Sequence, residues 1–246
     1  MIVQRNLPEI NITEDTAYIL AASDFHFPFQ DDKFVETFIK EVENTQPNYI
    51  ILNGDLLDFY MLSRFSKSKE GRPVEEEIDI CKEFLQKVRL AAPEAKIYYV
   101  IGNHETRLEK YTCDNAPDIA SMVVDFYEML DCKELDIIGC AKVTFNNEFY
   151  FEHGTKVSQK AGMSAMKELE AHYMSGATGH THRAAKFITN KQGKRYVHLE
   201  LGCGCNLNPL YAVHPDWCHA FGVITFRNGK LRMAEVFEVV NGEIMR

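Results

Sequence analysis

Five short polar strings stand out along the chain, each rich in histidine, aspartate or asparagine. They are Asp24-Phe25-His26, Gly54-Asp55-Leu56-Leu57-Asp58, Gly102-Asn103-His104-Glu105, Glu152-His153-Gly154 and Gly179-His180-Thr181-His182. Imidazole, carboxylate and carboxamide side chains are ligands for metal ions, and one carboxylate can bridge two cations about 3.5–4 Å apart. The strings therefore indicate a hydrolytic site with two metals, and they leave its substrate open.

The mixture of imidazole and carboxylate suits Mn, Fe, Zn or Ni better than Ca or Mg. We expect two divalent metal ions, with Mn²⁺ favoured and Fe, Zn, Ni or Mg as alternatives. Glycines within the strings permit tight loops, so that short side chains can converge. These glycines are Gly54, Gly102, Gly154 and Gly179.

The elements that position these strings can be predicted from hydrophobic periodicity. Apolar runs at 18–23, 49–52 and 97–101 predict strands, and helical spacing predicts helices at 31–46 and 73–90. The first three strings each follow one of these strands. Open α/β sheets place ligand sites at the carboxyl ends of their strands, so this half of the chain predicts a site there.

The second half of the chain has a different pattern. Helices at 106–111 and 118–130 are expected within a helical insertion at about 105–135 that lies over the site. A hairpin at 142–151 turns at Asn146-Asn147 and precedes a helix at 159–174. Further strands are predicted at 177–178, 186–188, 196–201, 222–226 and 231–239. We expect one domain over residues 1–246, with two sheets packed face to face and helices outside.

Composition narrows the class of protein. The chain has 246 residues, 46% of them hydrophobic, and a formal net charge of −9. No apolar run approaches the ~20 residues of a membrane span, and the N-terminus lacks the apolar core of a signal peptide. We therefore expect a soluble cytoplasmic protein without a membrane partner. The acidic balance disfavours tight non-specific binding to long duplexes, which depends on Lys and Arg.

Seven scattered cysteines, an odd number, favour a reducing compartment. The pair in Cys203-Gly-Cys205 leaves two interpretations open, soft-metal binding and packing of small residues near a strand end. Packing is favoured because no second cysteine pair lies at zinc-finger spacing.

Taken in order, the five strings resemble the D-x-H, G-D-x-x-D, G-N-H-[ED], H-G and G-H-x-H blocks of the calcineurin-like metallophosphoesterases. They extend from residue 24 to residue 182, about two-thirds of the chain. Short stand-alone members of bacteria and phages are the most similar type. The resemblance implies an α/β fold, a four-layer αββα sandwich in which two mixed β-sheets are flanked by helices.

The resemblance also implies roles for individual residues. Seven would be metal ligands: Asp24, His26 and His182 for the first metal, Asn103, His153 and His180 for the second, and Asp55 as the bridge. His104 would be the general acid that protonates the leaving group, oriented by Asp58, and imidazole suits this role because it titrates near neutral pH. The implied nucleophile is a hydroxide that bridges the metals.

The chain departs from one branch of the family at the residue that would contact phosphate. Protein Ser/Thr phosphatases continue the second block with Asp-Arg-Gly, whereas here Asp58 is followed by Phe59-Tyr60. This argues against a protein phosphatase. Arg107 and Arg183 are candidate substrate contacts, although a surface or structural ion pair is favoured for each.

The sequence leads to a metal-dependent phosphoesterase that hydrolyses a phosphodiester or phosphomonoester, with a nucleotide-like substrate favoured. A nuclease that acts on DNA or RNA ends is one alternative, and a non-catalytic phosphoesterase-fold scaffold is another. A short basic stretch beside aromatic residues is interpreted first as a solvated loop and second as an edge that follows a short nucleic acid. It consists of Arg64, Lys67, Lys69 and Arg72. The oligomeric state is left open.

Four other histidines are expected to be surface or core residues with ordinary hydrogen bonds. They are His172, His198, His214 and His219.

Overall fold

The computed structural model describes residues 6–64, 67, 71–209 and 215–246. Its strands, in chain order, are β1 (Glu9–Ile10), β2 (Thr16–Ala22), β3 (Tyr49–Leu52), β4 (Lys96–Val100), β5 (Ile137–Cys140), β6 (Lys142–Phe145), β7 (Phe149–Glu152), β8 (Ser175–Thr178), β9 (Ala184–Lys191), β10 (Lys194–Leu201), β11 (Ala220–Arg227), β12 (Lys230–Val240) and β13 (Glu243–Ile244). Its helices are α1 (Asp32–Thr45), α2 (Val74–Ala91), α3 (Arg107–Asn115), α4 (Phe126–Met129) and α5 (Met163–His172), with 3₁₀ segments at Tyr60–Leu62 and Pro117–Met122.

The strands form two mixed sheets. The first has seven strands in the order β13-β12-β11-β2-β3-β4-β5, and the second has six in the order β1-β6-β7-β8-β10-β9. In the first sheet β2 to β5 are parallel, while β11 to β13 add antiparallel strands at one side. In the second sheet β8 lies between two parallel neighbours, β7 and β10. The expected α/β architecture with two mixed sheets is confirmed.

Alternating side chains of the first sheet serve two hydrophobic cores. On β2, Ile19 belongs to the core between the two sheets, and its neighbour Leu20 belongs to the core under the helices. Successive side chains of a strand point to opposite faces, so one apolar run fills both cores. The second core contains Phe34, Phe38 and Val42 of α1, which recur every four residues and are fully buried. On the far side, α5 buries Ala165 and Leu169.

Local sequence explains where α1 begins. The side chain of Asp31 accepts a hydrogen bond from the backbone N–H of Phe34 at 2.9 Å, which satisfies one of the free donors at the helix start. The expected helix at 31–46 therefore forms at Asp32–Thr45.

The helix expected at 118–130 is divided in the structure. Pro117 begins a 3₁₀ segment that ends at Met122, and the side chain of Asp125 accepts from the N–H of Tyr127 to start α4. A second cap inside the segment thus separates two short helical pieces. The one-domain organisation and the position of this region over the site stay predictions.

Among the described residues, no helix combines the length and apolarity needed to cross a bilayer.

Candidate metal centre

Strands of both sheets deliver the predicted ligands to one place. Asp24 and Asp55 follow β2 and β3 of the first sheet, whereas His153 follows β7 and the pair His180 and His182 follows β8 of the second. All five lie just beyond the carboxyl ends of these strands, as expected for an α/β ligand site.

A first cluster consists of Asp24, His26 and His182, whose ligand atoms lie within 4.8 Å of one another. His182 Nε2 lies 3.1 Å from Asp24 Oδ1, and the Nε2 atoms of His26 and His182 are 3.1 Å apart. These are the three residues that the sequence assigns to the first metal.

A second cluster consists of Asp55, His153 and His180, again within 4.8 Å. His153 Nε2 lies 3.2 Å from Asp55 Oδ2 and 4.0 Å from Asp24 Oδ1. His26 Nε2 lies 4.0 Å from the same Asp55 oxygen. Asp55 therefore borders both clusters, which is the position that a bridging carboxylate requires.

Asn103, the remaining predicted ligand, is placed at the rim of the site. It follows β4 and is exposed, and its carbonyl accepts a hydrogen bond from Thr106 Oγ1 at 2.7 Å. The next residue, His104, donates its backbone N–H to Asp55 Oδ1 at 2.8 Å. The backbone around Asn103 is thereby fixed beside the second cluster.

Two buried polar atoms indicate that these residues are suited to bind metal ions. Asp24 Oδ1 and His153 Nε2 make no hydrogen bond of acceptable geometry among the described residues, although His182 Nε2 lies 3.1 Å from the first and Asp55 Oδ2 lies 3.2 Å from the second. A buried polar atom without a partner is costly, and a cation coordinated there would remove the cost. The donor set of carboxylate oxygens and imidazole nitrogens thus fits divalent ions of the Mn, Fe, Zn or Ni type.

The backbone at these residues is unusual. Five of the predicted ligands have positive φ, between 51° and 67°: Asp24, His26, Asp55, His180 and His182. Residues with a side chain seldom adopt this left-handed region, and such strain concentrates at functional sites. The backbone at these five ligands is therefore held in an uncommon conformation.

Glu105 fixes the loops that carry the second cluster. Its carboxylate accepts hydrogen bonds from the N–H groups of Asp55 at 3.0 Å and Gly102 at 2.8 Å through Oε2. The other oxygen, Oε1, accepts from the N–H of Leu57 at 3.2 Å and the hydroxyl of Tyr99 at 2.8 Å. One buried carboxylate thus joins the loop after β3 to the loop after β4. The sequence showed Glu105 inside the third string but gave it no role.

Two glycines permit this close approach. A Cβ at Gly102 would overlap Asp55 Oδ1, and a Cβ at Gly179 would overlap Ser23 Oγ and Asp24 Oδ2. Any larger residue would push the ligand-bearing loops apart.

Three of the histidines are held through the ring nitrogen that faces away from the cluster. His26 Nδ1 lies 3.1 Å from Asp58 Oδ2, and His153 Nδ1 lies 2.9 Å from the carbonyl oxygen of Asn53. His182 Nδ1 lies 3.7 Å from Cys205 Sγ. Such partners orient histidine rings at metal sites.

Cys203 and Cys205 therefore lie closer to the candidate site than their positions in the sequence suggested. Both are buried after the end of β10, and their sulfurs lie within 4.8 Å of a ring nitrogen of His182. Nothing in the sequence linked this pair to His182, because the contact joins residues from separate strands.

The electrostatics of the clusters are dominated by buried opposite charges. Burial would lower the pKa of His153 and of His182, but the nearby aspartates raise these pKa values to about 10 and about 9. Burial would raise the pKa of Asp24, yet the charges of His182 and His153 hold it well below its usual value. The site thus balances positive charge against anionic carboxylates.

His104 lies beside the second cluster without joining it. Its Nδ1 lies 3.0 Å from the carbonyl oxygen of Asp58 and its Nε2 lies 3.7 Å from Asp55 Oδ2. Burial lowers the pKa of His104 to about 4, although Asp55 opposes this effect. The resemblance described above implied that Asp58 orients His104. In the structure the Asp58 carbonyl makes the shorter of the two Asp58 contacts with His104 Nδ1, whereas the carboxylate Oδ2 lies 3.7 Å from that nitrogen. The same carboxylate also contacts His26 and Arg107.

Arg107 is the predicted substrate contact that reaches the site. Its Nη1 donates to the Asp58 carbonyl at 2.8 Å and to Asp58 Oδ1 at 3.1 Å, and its Nη2 lies 2.8 Å from His104 Nε2. Arg183 is placed differently: its guanidinium donates to Asp216 at 2.7 Å and to the Ser158 carbonyl at 2.6 Å.

The remaining histidines have ordinary partners where the structure describes them. His172 lies near Glu152 and Glu168, His198 Nε2 lies 3.1 Å from the Tyr150 hydroxyl, and His219 Nε2 lies 2.9 Å from the Cys205 carbonyl. His214 lies outside the described residues.

The basic stretch is described in part, because Lys69 lies outside the described residues. Arg72 forms an ion pair with Glu76 at 2.7 Å, and Lys67 donates to Ser63 Oγ at 2.6 Å. Both contacts are exposed, as in a solvated loop.

Comparison with known proteins agrees with this geometry. A family model described as calcineurin-like phosphoesterase matches residues 17–196. The Gene 54 proteins of Mycobacterium phages D29 and L5 are 24% and 28% identical to this chain, and each alignment covers 91% of this chain and 94% of the relative. Vacuolar Protein Sorting 29 from Cryptosporidium parvum has a similar fold, with a TM-score of 0.53 and 16% identity over 94% of this chain and 96% of that chain.

Proposed function

The chain belongs to the calcineurin-like phosphoesterase family, whose members are metal-dependent hydrolases of phosphoesters, and from this premise we propose its specific chemistry. It hydrolyses a phosphodiester or phosphomonoester, with a nucleotide-like substrate favoured, and it uses two divalent cations of which Mn²⁺ is the preferred candidate. Such cations, when bound, polarise phosphoryl oxygens and lower the pKa of water.

One observation carries the proposal: the side chains predicted as ligands from two different sheets converge within a few ångströms. Asp24 and Asp55 meet His26, His153 and His182 with their ligand atoms facing one another. The lack of a well-formed hydrogen bond at Asp24 Oδ1 and at His153 Nε2 supports cations in this position.

The residues beside the clusters supply binding and proton transfer. Arg107 offers a planar, permanently charged donor group for phosphoryl oxygens. In the structure the Arg107 guanidinium contacts His104 Nε2 and Asp58, so a bound phosphoryl group would compete with these contacts. A phosphoryl anion near Nε2 also favours the protonated ring, as the general-acid role of His104 requires.

Two other functions compete with this one. A nuclease that acts on DNA or RNA ends uses the same chemistry and predicts Mn²⁺-dependent shortening of oligonucleotides. A non-catalytic scaffold is the second, and the similarity to Vacuolar Protein Sorting 29 keeps it open because fold likeness alone fixes no activity. The complete set of candidate ligands together with His104 favours the enzyme.

Metal analysis combined with hydrolysis of bis-p-nitrophenyl phosphate in Mn²⁺ tests the proposal. The wild-type protein should hold two cations per chain and release p-nitrophenol. Asp55→Asn should reduce the rate by about 100-fold or more, because the candidate bridge then loses its charge. Asp79→Asn, an exposed change on α2, should leave the rate unaltered. A full metal complement without hydrolysis of any ester would favour the scaffold.

A further inference from the structure

A cleft of about 490 Å³ adjoins the candidate metal centre on the side of α3. Asn103, a predicted ligand, forms part of its wall together with Arg107. Its lining also includes Arg64, which follows the 3₁₀ segment Tyr60–Leu62. A substrate whose scissile phosphate lies at the metal centre would therefore extend into this cleft.

One face of α3 lines the cleft. Arg107, Lys110, Tyr111 and Asp114 are spaced at i, i+3, i+4 and i+7, which places them along the same side of the helix. With a rise of about 1.5 Å per residue, Lys110 lies about 4.5 Å farther along the helix axis than Arg107. The helix thus directs a row of polar groups away from the metal centre.

The charge of the cleft opposes that of the whole chain. Its lining has three cationic side chains, Arg64, Arg107 and Lys110, against one carboxylate, Asp114, whereas the chain carries a net charge of −9. A cationic cleft in an acidic protein attracts anions selectively, and its walls focus the field.

Two of these cationic side chains, Arg64 and Lys110, stabilise no other part of the described chain through polar contacts. The guanidinium of Arg107 contacts Asp58 and His104, but the side chains of Arg64 and Lys110 make no hydrogen bond or ion pair within that part of the chain. Beside them, Tyr111 is 45% exposed, and an exposed aromatic ring can serve as a platform for a nucleobase.

We propose that this cleft binds a second phosphate of the substrate, so that the preferred substrates are nucleotide phosphodiesters with a further phosphate beyond the scissile one. Lys110 and Arg64 contact that second phosphate, and Tyr111 supports the base. The proposal rests on the proposed function, since it takes the scissile phosphate to lie at the metal centre.

A pair of chromogenic substrates that differ by one phosphate tests this. p-Nitrophenyl thymidine 5′-phosphate and its 3′-phosphorylated counterpart both release p-nitrophenol, so their kcat/KM values compare directly. In the wild-type protein the second phosphate should raise kcat/KM by about tenfold, mainly through a lower KM, because it gains close cationic partners. Lys110→Gln and Arg64→Gln should each reduce this ratio towards one.

Lys40→Gln is the matched control, because it removes the same charge from an exposed position on α1, which does not line the cleft. Its ratio should equal that of the wild-type protein. A wild-type ratio near one, or a ratio that neither cleft variant changes, would overturn the proposal while the phosphoesterase activity stands.

If neither ester is hydrolysed, the proposed function fails, and the cleft is judged by binding alone. Calorimetry should then show tighter binding of thymidine 3′,5′-bisphosphate than of thymidine 5′-monophosphate, with the difference reduced in Lys110→Gln and Arg64→Gln. Equal binding of the two nucleotides would reject the cleft as a phosphate site.

Discussion

His182 is held between Asp24 and Cys205: its Nε2 lies 3.1 Å from Asp24 Oδ1, and its Nδ1 lies 3.7 Å from Cys205 Sγ. The sulfur thus occupies the place that a carboxylate or carbonyl takes behind His26 and His153. A partner at Nδ1 fixes the ring and leaves Nε2 directed into the cluster.

Replacement of Cys205 by alanine should weaken metal binding by about 10- to 100-fold, because His182 loses the group that orients its ring. The measurement is a Mn²⁺ titration followed by the fluorescence of Trp217, the single tryptophan, whose ring lies 4.2 Å from that of His182. Cys205→Ser should recover part of the affinity. The exposed Cys113→Ala serves as control, and an unchanged dissociation constant in Cys205→Ala would refute the role.

His104→Ala should lower kcat by about 10²- to 10⁴-fold for esters with poor leaving groups, since a general acid contributes most when the departing oxygen needs a proton. Esters of p-nitrophenol, a good leaving group, should be affected much less. Rates for alkyl and p-nitrophenyl esters, measured together with metal content, check this. Equal losses for both classes, or a loss of metal, would assign His104 another role.

Glu105→Gln should destabilise the fold by about 3 kcal/mol, because an amide NH₂ would face two buried donors that now reach a carboxylate oxygen. Tyr99→Phe removes only one of the four hydrogen bonds to Glu105 and should cost about 1 kcal/mol. Urea unfolding of the metal-free proteins gives both values. If Glu105→Gln costs no more than Tyr99→Phe, the carboxylate does not hold the two loops together.

Glu77 should make stability depend on pH. Its side chain is fully buried and accepts from the N–H of Phe59 at 2.6 Å. Burial raises its pKa to about 8 with a further contribution from Asp58, while the hydrogen bond from Phe59 and the charge of Arg107 oppose the shift. A carboxyl whose pKa is raised on folding is stabilising when protonated. Its contribution is therefore complete below pH 4.5 and is lost as pH rises towards 8.

Glu77→Gln should remove this dependence. From pH 5 to pH 8 the wild-type protein should lose on the order of 2 kcal/mol of unfolding free energy that the variant keeps, since the amide does not titrate. Urea midpoints at the two pH values provide the test, with the exposed Glu75→Gln on the same turn as control. Parallel pH profiles for wild type and Glu77→Gln would contradict the assignment.

The sequence alone predicted the parts of the fold that depend on local patterns. The apolar runs that became β2, β3 and β4 were recognisable because buried parallel strands are continuously hydrophobic. The strand β1, with only Glu9 and Ile10, was missed because its pairing with Thr144 and Phe145 exists only after the chain has folded. The strand β5 was missed for a related reason, since Gly139 and Cys140 interrupt its apolar pattern.

The candidate site likewise has features that were predictable from the sequence and features that were not. Asp24, His26, Asp55, His153, His180 and His182 converge as their motifs suggested. The partners behind them were not predictable, because Cys205 and the Asn53 carbonyl reach histidines far away in sequence. Arg107 was a candidate from its position after the third string, but its contacts with both His104 and Asp58 required the folded chain.

The division of the candidate ligands between two sheets has a consequence for how the site is assembled. Asp24 and Asp55 come from the seven-stranded sheet and His153 and His182 from the six-stranded one, so neither sheet carries a complete site. Their spacing is set by the apolar layer in which Ile51 and Phe151 lie between the sheets. Metal affinity should therefore depend on how the two sheets pack against each other. A substitution in the hydrophobic layer between them would alter catalysis without changing any ligand.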